Sequence, residues 1–312
     1  MKIAVLGAGS LGCAMGSCLV EAGHEVWLIN RRVDHVEAMR QNGLTVRVNG
    51  VDRQIAVKAT TRPQDIAEQS GTMDLVVVLV KSFHTLEAIT AATSIVGDDT
   101  VVMSLQNGLG HEDVLAKVVG REKLVAGKTY AGGQMLGPGH ILRGTQGKDT
   151  HIGELDGQIT ERIQRIAEVF NAAGLLTHIS DNIMGTIWDK LLVNVATGAL
   201  SGITRLAYGD LYQVAEVKAC ALAAVTEAMA VAKASGIELS VTDPEAPWLK
   251  AGAGLPAEFK ASMLQSLEKG SITEVDYVNG AVVRWGEQCG IPTPVNRTLV
   301  ACIKGIERGL PA

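Results

Sequence analysis

Lys2-Ile3-Ala4-Val5-Leu6-Gly7-Ala8-Gly9-Ser10-Leu11-Gly12 is the stretch from which the fold can be read. A short apolar run of the kind that makes a buried strand passes without a break into G-x-G-x-x-G. Cys13 to Ala22 then has the pattern of a helix, and Glu25-Val26-Trp27-Leu28-Ile29-Asn30 that of a second strand. Strand, glycine turn, helix and strand within about thirty residues is the context in which this motif binds a dinucleotide. Gly7 permits the tight turn, Gly9 lets the backbone approach a pyrophosphate, and Gly12 lets the helix pack closely on the strand. The free N–H groups and positive dipole end of the helix then face the phosphates. Gly7, Ala8, Gly9, Ser10, Leu11 and Gly12 are therefore the candidate cradle.

The end of the second strand says which dinucleotide. A site for NAD usually carries an Asp or Glu about 20 residues past the glycines to accept from the ribose 2′-OH. This chain has Asn30-Arg31-Arg32 there. A guanidinium suits a 2′-phosphate, whereas an acidic side chain would repel it. The expectation is NADP(H), with Arg31 the principal contact and Arg32 a helper.

At 312 residues the chain can bury a sizeable core in one or two domains. Hydrophobic residues at 47% and charged residues at 20% suit a globular α/β enzyme and exclude a disordered chain. A net charge of −5 leaves no basic footprint for nucleic acid. The five cysteines, Cys13, Cys18, Cys220, Cys289 and Cys302, form no C-x-x-C pair and read as reduced thiols of a cytoplasmic protein. The first strand starts at Lys2, which leaves no export signal ahead of it. The most apolar helix, Ala219 to Ala232, is interrupted by Thr226 and Glu227 and is too short to span a bilayer. The seven histidines show no ligand spacing with Cys or carboxylates, so no metal is expected.

Further along, Val33 to Asn42 reads as a helix stopped by Gly43. Thr45 to Val48 and Gln54 to Val57 read as exposed strands joined through Asn49-Gly50. Asp74 to Val80 and Thr100 to Leu105 are near-continuous apolar runs, as in strands of a parallel sheet covered on both faces. Lys81 ends the first run, and Gln106-Asn107-Gly108-Leu109-Gly110 follows the second. Leu124 to Tyr130 is a further strand leading into Ala131-Gly132-Gly133. In such sheets ligands bind outside the carboxyl ends of the strands. Residues 7–12, Arg31, Lys81, Asn107 and Gly133 would all lie along that edge.

Ile141 to Ile152 reads as antiparallel strands at the sheet edge, Gln158 to Ala173 as an amphipathic helix, and Leu176 to Ile179 as a last strand. From Asn182 onward strand-like runs disappear. Helices are expected at Ile183–Ala196, Leu211–Ser235, Pro256–Lys269, Thr273–Cys289 and Pro294–Arg308. The fold class is therefore α/β, an N-terminal Rossmann-type parallel sheet domain (1–180) followed by a C-terminal all-α domain (181–312).

Two segments of the helical half carry candidate chemistry. In Trp188-Asp189-Lys190-Leu191-Leu192-Val193-Asn194, Lys190 and Asn194 lie one above the other on one helix face among apolar neighbours. A Lys facing a cleft can protonate a carbonyl oxygen while hydride arrives at carbon, and desolvation would bring its pKa toward a useful range. A Lys snorkelling from a core helix is the plainer alternative. In Thr273-Glu274-Val275-Asp276-Tyr277-Val278-Asn279-Gly280, Thr273 can begin a helix with Glu274 in its first turn, where complementing the helix dipole is the commoner role. Upstream, Ser262 places a hydroxyl on a neighbouring helix.

Together these residues resemble the ketopantoate reductase (2-dehydropantoate 2-reductase) family. The glycine fingerprint, Lys81 and Asn107-Gly-Leu-Gly look like its cofactor half. Trp188-x-Lys190-Leu-x-x-Asn194, Ser262-Met-Leu-Gln and Glu274-x-Asp-Tyr-x-Asn279-Gly look like its substrate half. The likeness spans essentially the whole chain in the same order. It implies NADPH-dependent reduction of a small-molecule 2-oxo acid, ketopantoate, to the 2-hydroxy acid pantoate, a step of pantothenate biosynthesis. By that likeness Lys190 would be the general acid, and Glu274 would fix the substrate and the catalytic network. Asn107 would lie by the nicotinamide and contact substrate, while Asn194 and Ser262 would hold substrate oxygens. The family's second Asn, four residues past Asn194, is Gly198 here, and further substrate-contacting Asn positions are occupied near Tyr208 and Phe259. Those departures bear on which 2-oxo acid is used, not on the reaction class.

The alternatives are a related 2-oxo-acid or 3-hydroxy-acid dehydrogenase with another substrate, and an NADP-binding sensor without turnover. The Glu274-x-Asp-Tyr-x-Asn-Gly segment argues against the 3-hydroxy-acid enzymes, and an intact Lys190 and Glu274 argue against the sensor. A monomer or a homodimer fits the pattern equally well, with no nucleic-acid or membrane partner expected.

Overall fold

The computed structural model of the protein describes residues 1–310. By backbone contacts the chain forms two compact units, one of 1–106 with 111–183, the other of 107–110 with 184 onward. The division is thus not a single cut. The segment Asn107–Gly110 leaves the sheet and belongs to the helical unit.

The first unit starts with strand β1 (Lys2–Leu6), helix α1 (Ser10–Glu21), β2 (Glu25–Ile29) and α2 (Val33–Asn42). The hairpin β3 (Leu44–Val48) and β4 (Val51–Ile55) follows, then β5 (Lys58–Thr60), α3 (Pro63–Ser70), β6 (Leu75–Val78) and α4 (Thr85–Ala91). β7 (Val101–Ser104), α5 (His111–Val119), β8 (Leu124–Thr129), β9 (Gly132–Gly137), β10 (His140–Gly144), β11 (Thr150–Gly153), α6 (Glu161–Ala172) and β12 (Thr177–Ile179) complete it. The main sheet has the order β12-β11-β8-β7-β6-β1-β2-β5. From β5 to β8 every pairing is parallel, and β11 joins antiparallel to β8. β1 has β2 on one side and β6 on the other, so the order reverses there, and ligands bind at such a switch point.

Strands buried on both faces explain the unbroken apolar runs. Ile3 and Val5 face one core with Met15, Leu19 and Phe170; Ala4 and Leu6 face the other with Ile66, Ile89 and Leu115. A second sheet, β4-β3-β10-β9, stands apart. The run 141–152 therefore does not form one edge. β10 belongs to the small sheet, antiparallel to β9 and parallel to β3, while β11 extends the large one. The β3–β4 turn falls at Asn49-Gly50, both with positive φ as a two-residue hairpin requires. β3 is not simply exposed, since its Leu44 and Val46 are buried in the core shared with α1 and α2.

The second unit comprises α7 (Ile183–Thr204), α8 (Tyr208–Leu211), α9 (Ala215–Ala234), α10 (Glu245–Gly252), α11 (Ser262–Glu268), α12 (Asn279–Cys289) and α13 (Pro294–Arg308). The apolar helix α9 buries Ala221, Ala224, Val225, Ala228 and Val231, and it packs on α12 and α13. Among the described residues no helix is long and apolar enough to cross a membrane.

Helical boundaries differ from the sequence expectation where tertiary bonds capture the backbone. The expected helix 256–269 begins only at Ser262, because the carbonyls of Ala257 and Phe259 accept from the N–H groups of Gly209 and Tyr208. The expected helix 273–289 begins at Asn279, after a 3₁₀ turn at Val275–Tyr277 whose Tyr277 carbonyl accepts from Leu109 N–H. The segment 211–235 is split between α8 and α9, and α7 runs eight residues past Ala196, to Thr204.

A Cβ at residue 12 would stand 2.4 Å from the Gly7 carbonyl oxygen, where neither backbone can yield cheaply. Gly12→Ala should therefore lower stability by about 1–3 kcal/mol, as overpacking does. An unchanged denaturant midpoint would show slack between α1 and its loop that the packing here denies.

Candidate active site

The glycine loop is fixed from beneath. The N–H groups of Gly7 and Ala8 both donate to the Ile29 carbonyl, at 3.1 and 2.8 Å, which joins the turn to the end of β2. Gly7 has φ +107°, and a Cβ there would fall 2.4 Å from the Val80 nitrogen, so glycine is demanded twice over. Gly9 differs. A Cβ there meets no heavy atom within 4 Å, so nothing in the protein requires its bareness. Gly9 is also the N-cap of α1, with no side-chain cap and no acidic residue in the first turn. Open space before an uncapped helix N-terminus fits a pyrophosphate. Gly133, on β9, runs against this turn, and a Cβ there would stand 2.7 Å from the Ser10 carbonyl. Its first effect is to let the small sheet approach the loop.

At the end of β2, Asn30 does not point away from the loop. Its Nδ2 donates to the Ala8 carbonyl at 2.7 Å and its Oδ1 accepts from Arg32 N–H at 2.9 Å. Arg32 then turns to Asp34, pairing at 2.5 Å, and is committed to the start of α2. Arg31 is exposed and, among the described residues, has no carboxylate partner. Of the two arginines, Arg31 is the one available to an anionic ligand. Lys81 is exposed immediately beyond β6, at the start of a 3₁₀ turn in which its carbonyl accepts from His84 N–H. Gln106 was missed from sequence. Buried at the end of β7, its Nε2 donates to the Val80 carbonyl and to Thr85 Oγ1, both at 2.8 Å, holding the loop that carries Lys81.

The helical unit assembles a second group of residues around the segment 107–110. Gly108 has φ +98°, and a Cβ there would stand 2.3 Å from the Tyr277 carbonyl. Leu109 N–H donates to that same carbonyl at 2.9 Å, which docks the segment on the turn that follows Glu274. Asn107 is thereby placed so that Lys190 Nζ donates to its Oδ1 at 2.7 Å. Lys190 is half-buried on α7 beside Trp188, whose ring stacks edge-on against Trp285 at 5.6 Å. Asp189 accepts from Ser240 N–H and Oγ, anchoring the same turn of α7 from its other side.

Glu274 is half-buried at the head of the 3₁₀ turn. Thr273 before it donates through both N–H and Oγ1 to Glu307 Oε1, each at 2.7 Å, while Asp276 pairs with Lys304. The turn is thus tied to α13 on both sides of Glu274. Asn194 lies one helical turn beyond Lys190, and Ser262 opens α11. Neither side chain has a protein partner among the described residues. Asn279, conspicuous in the sequence, is structural: it is fully buried and donates to Asn296 Oδ1. Burial raises the Tyr208 phenol above its ordinary range, offset in part by its 3.0 Å bond to Thr197.

The ketopantoate reductase PanE/ApbA description matches residues 3–157, and its C-terminal counterpart matches residues 182–307. The chain belongs to the ketopantoate reductase family. A 2-dehydropantoate 2-reductase of Archaeoglobus fulgidus is 33% identical over 310 residues, 99% of each chain. Among solved structures, a ketopantoate reductase of Ralstonia eutropha is 36% identical, with a TM-score of 0.88 over 99% of each chain. D-mandelate dehydrogenase, solved with NADH and anilino(oxo)acetate, is 29% identical with a TM-score of 0.91, again over 99% of each. The chain is accordingly an oxidoreductase of this family that takes a nicotinamide cofactor and reduces a 2-oxo acid.

Gly9→Ala separates the two glycine roles. It should melt like the wild type while weakening NADP⁺ binding at least about tenfold, because the added methyl occupies space that only a ligand needs. A loss of stability with unchanged affinity would contradict this assignment.

Proposed function

We propose that the protein catalyses NADPH-dependent reduction of ketopantoate to pantoate, with Lys190 as general acid. The observation that carries this reading is the 2.7 Å bond from Lys190 Nζ to Asn107 Oδ1, on a segment itself bonded to the turn after Glu274. Nicotinamide, when bound, would supply the hydride that the carbonyl carbon receives. The Asn107 oxygen takes one of the three N–H donors of the ammonium and fixes where the others point. Lys190 polarises the keto oxygen and gives it a proton as the C–O bond becomes single, so the product alcohol leaves neutral lysine to regain its proton from water. Asn194, one turn along α7, and Ser262 offer hydrogen bonds to the substrate's oxygens. Glu274, held in place by the Thr273–Glu307 and Asp276–Lys304 ties, fixes the substrate within this network.

On the cofactor side, Gly7 to Gly12 with Ala8, Ser10 and Leu11 receive the pyrophosphate, and Gly133 leaves room for that loop. Arg31 reads the 2′-phosphate as a charge-assisted contact. Lys81 and Asn107 contact the cofactor farther along, Asn107 by the nicotinamide.

A second reading keeps the chemistry and changes the acid. At Gly198 a Cβ would lie 3.3 Å from Met263 Cε, so this stretch of α7 is covered by a thioether. The hydroxyls of Thr197 and Tyr208 satisfy each other, and Tyr208 packs edge-on to Phe259 at 5.1 Å. An apolar 2-oxo acid suits such a surface, and the likeness to D-mandelate dehydrogenase supports it.

Lys190→Ala should lower kcat by about 10²-fold or more while leaving NADPH affinity within about threefold. Equal kcat in the two proteins would remove Lys190 from the chemistry. Arg31→Ala should cut the preference for NADPH over NADH by about tenfold or more, and Arg32→Ala much less. Steady-state constants with both cofactors decide this; an unaltered preference in Arg31→Ala would mean that another group reads the 2′-phosphate.

A further inference from the structure

The Ala8 carbonyl, in the middle of the glycine loop, is held by more donors than a turn requires. Asn30 Nδ2 lies 2.7 Å from it, His35 Nε2 3.1 Å and Cys13 Sγ 3.3 Å. His35 is fully buried on α2, and its other ring nitrogen, Nδ1, receives the Gly139 N–H at 2.9 Å. A backbone N–H can only donate, so Nδ1 must be the acceptor and the proton must sit on Nε2, facing Ala8. Gly139 stands in the β9–β10 turn with φ +65°, where a Cβ would clash with Ala38 of α2 at 2.9 Å. The ring therefore spans from the small sheet to the glycine loop, with no freedom to reverse its tautomer.

We propose that His35 is a positioning residue for NADP(H): as the neutral Nε2–H tautomer it locks the Ala8–Gly9 peptide so that the first-turn N–H groups of α1 stay aimed at the cofactor's phosphates. This rests on the cofactor reading given above. His35 touches no cofactor atom; it acts through Ala8. On balance its surroundings favour a neutral ring. Cys13 of α1 is pushed up to about 12 by burial and remains a thiol donor. Burial opposes a second ring proton most strongly; the bond to the Ala8 carbonyl favours one, Arg32 at the head of α2 disfavours it, and Asp34 favours it more weakly. Burial is the largest influence and holds the His35 pKa below its ordinary value.

Protonation would put a hydrogen on Nδ1 directly against Gly139 N–H, two donors meeting with no acceptor between them. The direction follows from linkage. The unfolded chain takes up the proton near pH 6.5 and the folded chain only at lower pH, so the stability the neutral ring contributes is full above about 6.5, and the folded clamp stays intact below that, until the lowered folded pKa is approached. The stability contribution falls as pH drops from about 6.5 toward the depressed folded pKa.

The experiment measures the dissociation constant of NADP⁺ by calorimetry, with melting temperature alongside, for wild type, His35→Leu and His35→Gln at pH 8 and 5.5. Gln places an N–H donor and a carbonyl acceptor at about the separation of the two ring nitrogens, without a titratable proton. His35→Leu should bind at least about tenfold more weakly at pH 8. His35→Gln should recover to within about threefold of wild type at that pH. Wild type should lose more melting temperature on going to pH 5.5 than His35→Gln, which lacks the proton that the unfolded His35 takes up. Wild-type affinity in a folded His35→Leu, or equal losses of melting temperature at acid pH in wild type and His35→Gln, would overturn the proposal. If His35→Leu does not fold, the wild-type and His35→Gln pH comparison decides alone. Absence of NADP⁺ binding by wild type would instead overturn the cofactor reading itself.

Discussion

The constraint on which the rest depends is the contact between α1 and the turn that precedes it. Residues 7 and 12 are bare because backbone lies where their side chains would go, 2.4 Å from Val80 N and from the Gly7 carbonyl. That closeness aims the N-terminus of α1 past the ends of β1 and β6, at the point where the strand order reverses. Everything attached to those strand ends, Arg31 after β2, Lys81 after β6 and the Gln106 bridge after β7, is placed by the same sheet register. Of the three loop glycines, Gly9 is the one whose bareness nothing within 4 Å requires, as the proposed pyrophosphate site would need.

The helical unit depends on a different kind of constraint, a short piece of chain borrowed from the strand side. Asn107–Gly110 follows β7 covalently yet is bonded to Tyr277, and it presents an acceptor to Lys190. A lysine on a helix of apolar neighbours would otherwise sweep a wide arc. Here its ammonium is bonded to Asn107 Oδ1, and the segment bearing that oxygen is tied to the turn that carries Glu274. Preorganisation of this kind is what the proposed general-acid role of Lys190 would require.

Much of this was legible in the sequence because the signals were backbone requirements. G-x-G-x-x-G between two strands, unbroken Val-rich runs and the loss of strand patterns after residue 182 each reflect what the main chain can do, and the sheet, the loop and the helical half follow. The turn at 275–277 was not legible, since Glu-Val-Asp-Tyr-Val has no breaker, and its Tyr277 carbonyl is bonded to Leu109 N–H, distant in sequence. Asn30, His35 and Gln106 were silent for a related reason. Each is a polar side chain committed to a carbonyl distant in sequence, and such pairings leave no periodicity. Arg31 and Arg32 look alike as letters; Asp34, two residues on from Arg32, is what distinguishes them.

The central claim is that this chain moves hydride from NADPH to the keto carbon of a 2-oxo acid. Nicotinamide absorbance followed with the wild-type protein, NADPH and a panel of ketopantoate, 3-methyl-2-oxobutanoate, benzoylformate and pyruvate tests it most directly. The account predicts one NADPH consumed per 2-hydroxy acid formed, with ketopantoate the best acceptor, or an apolar acid if the Gly198–Met263 surface sets the preference. NADPH that binds and is consumed with none of these acids would contradict it.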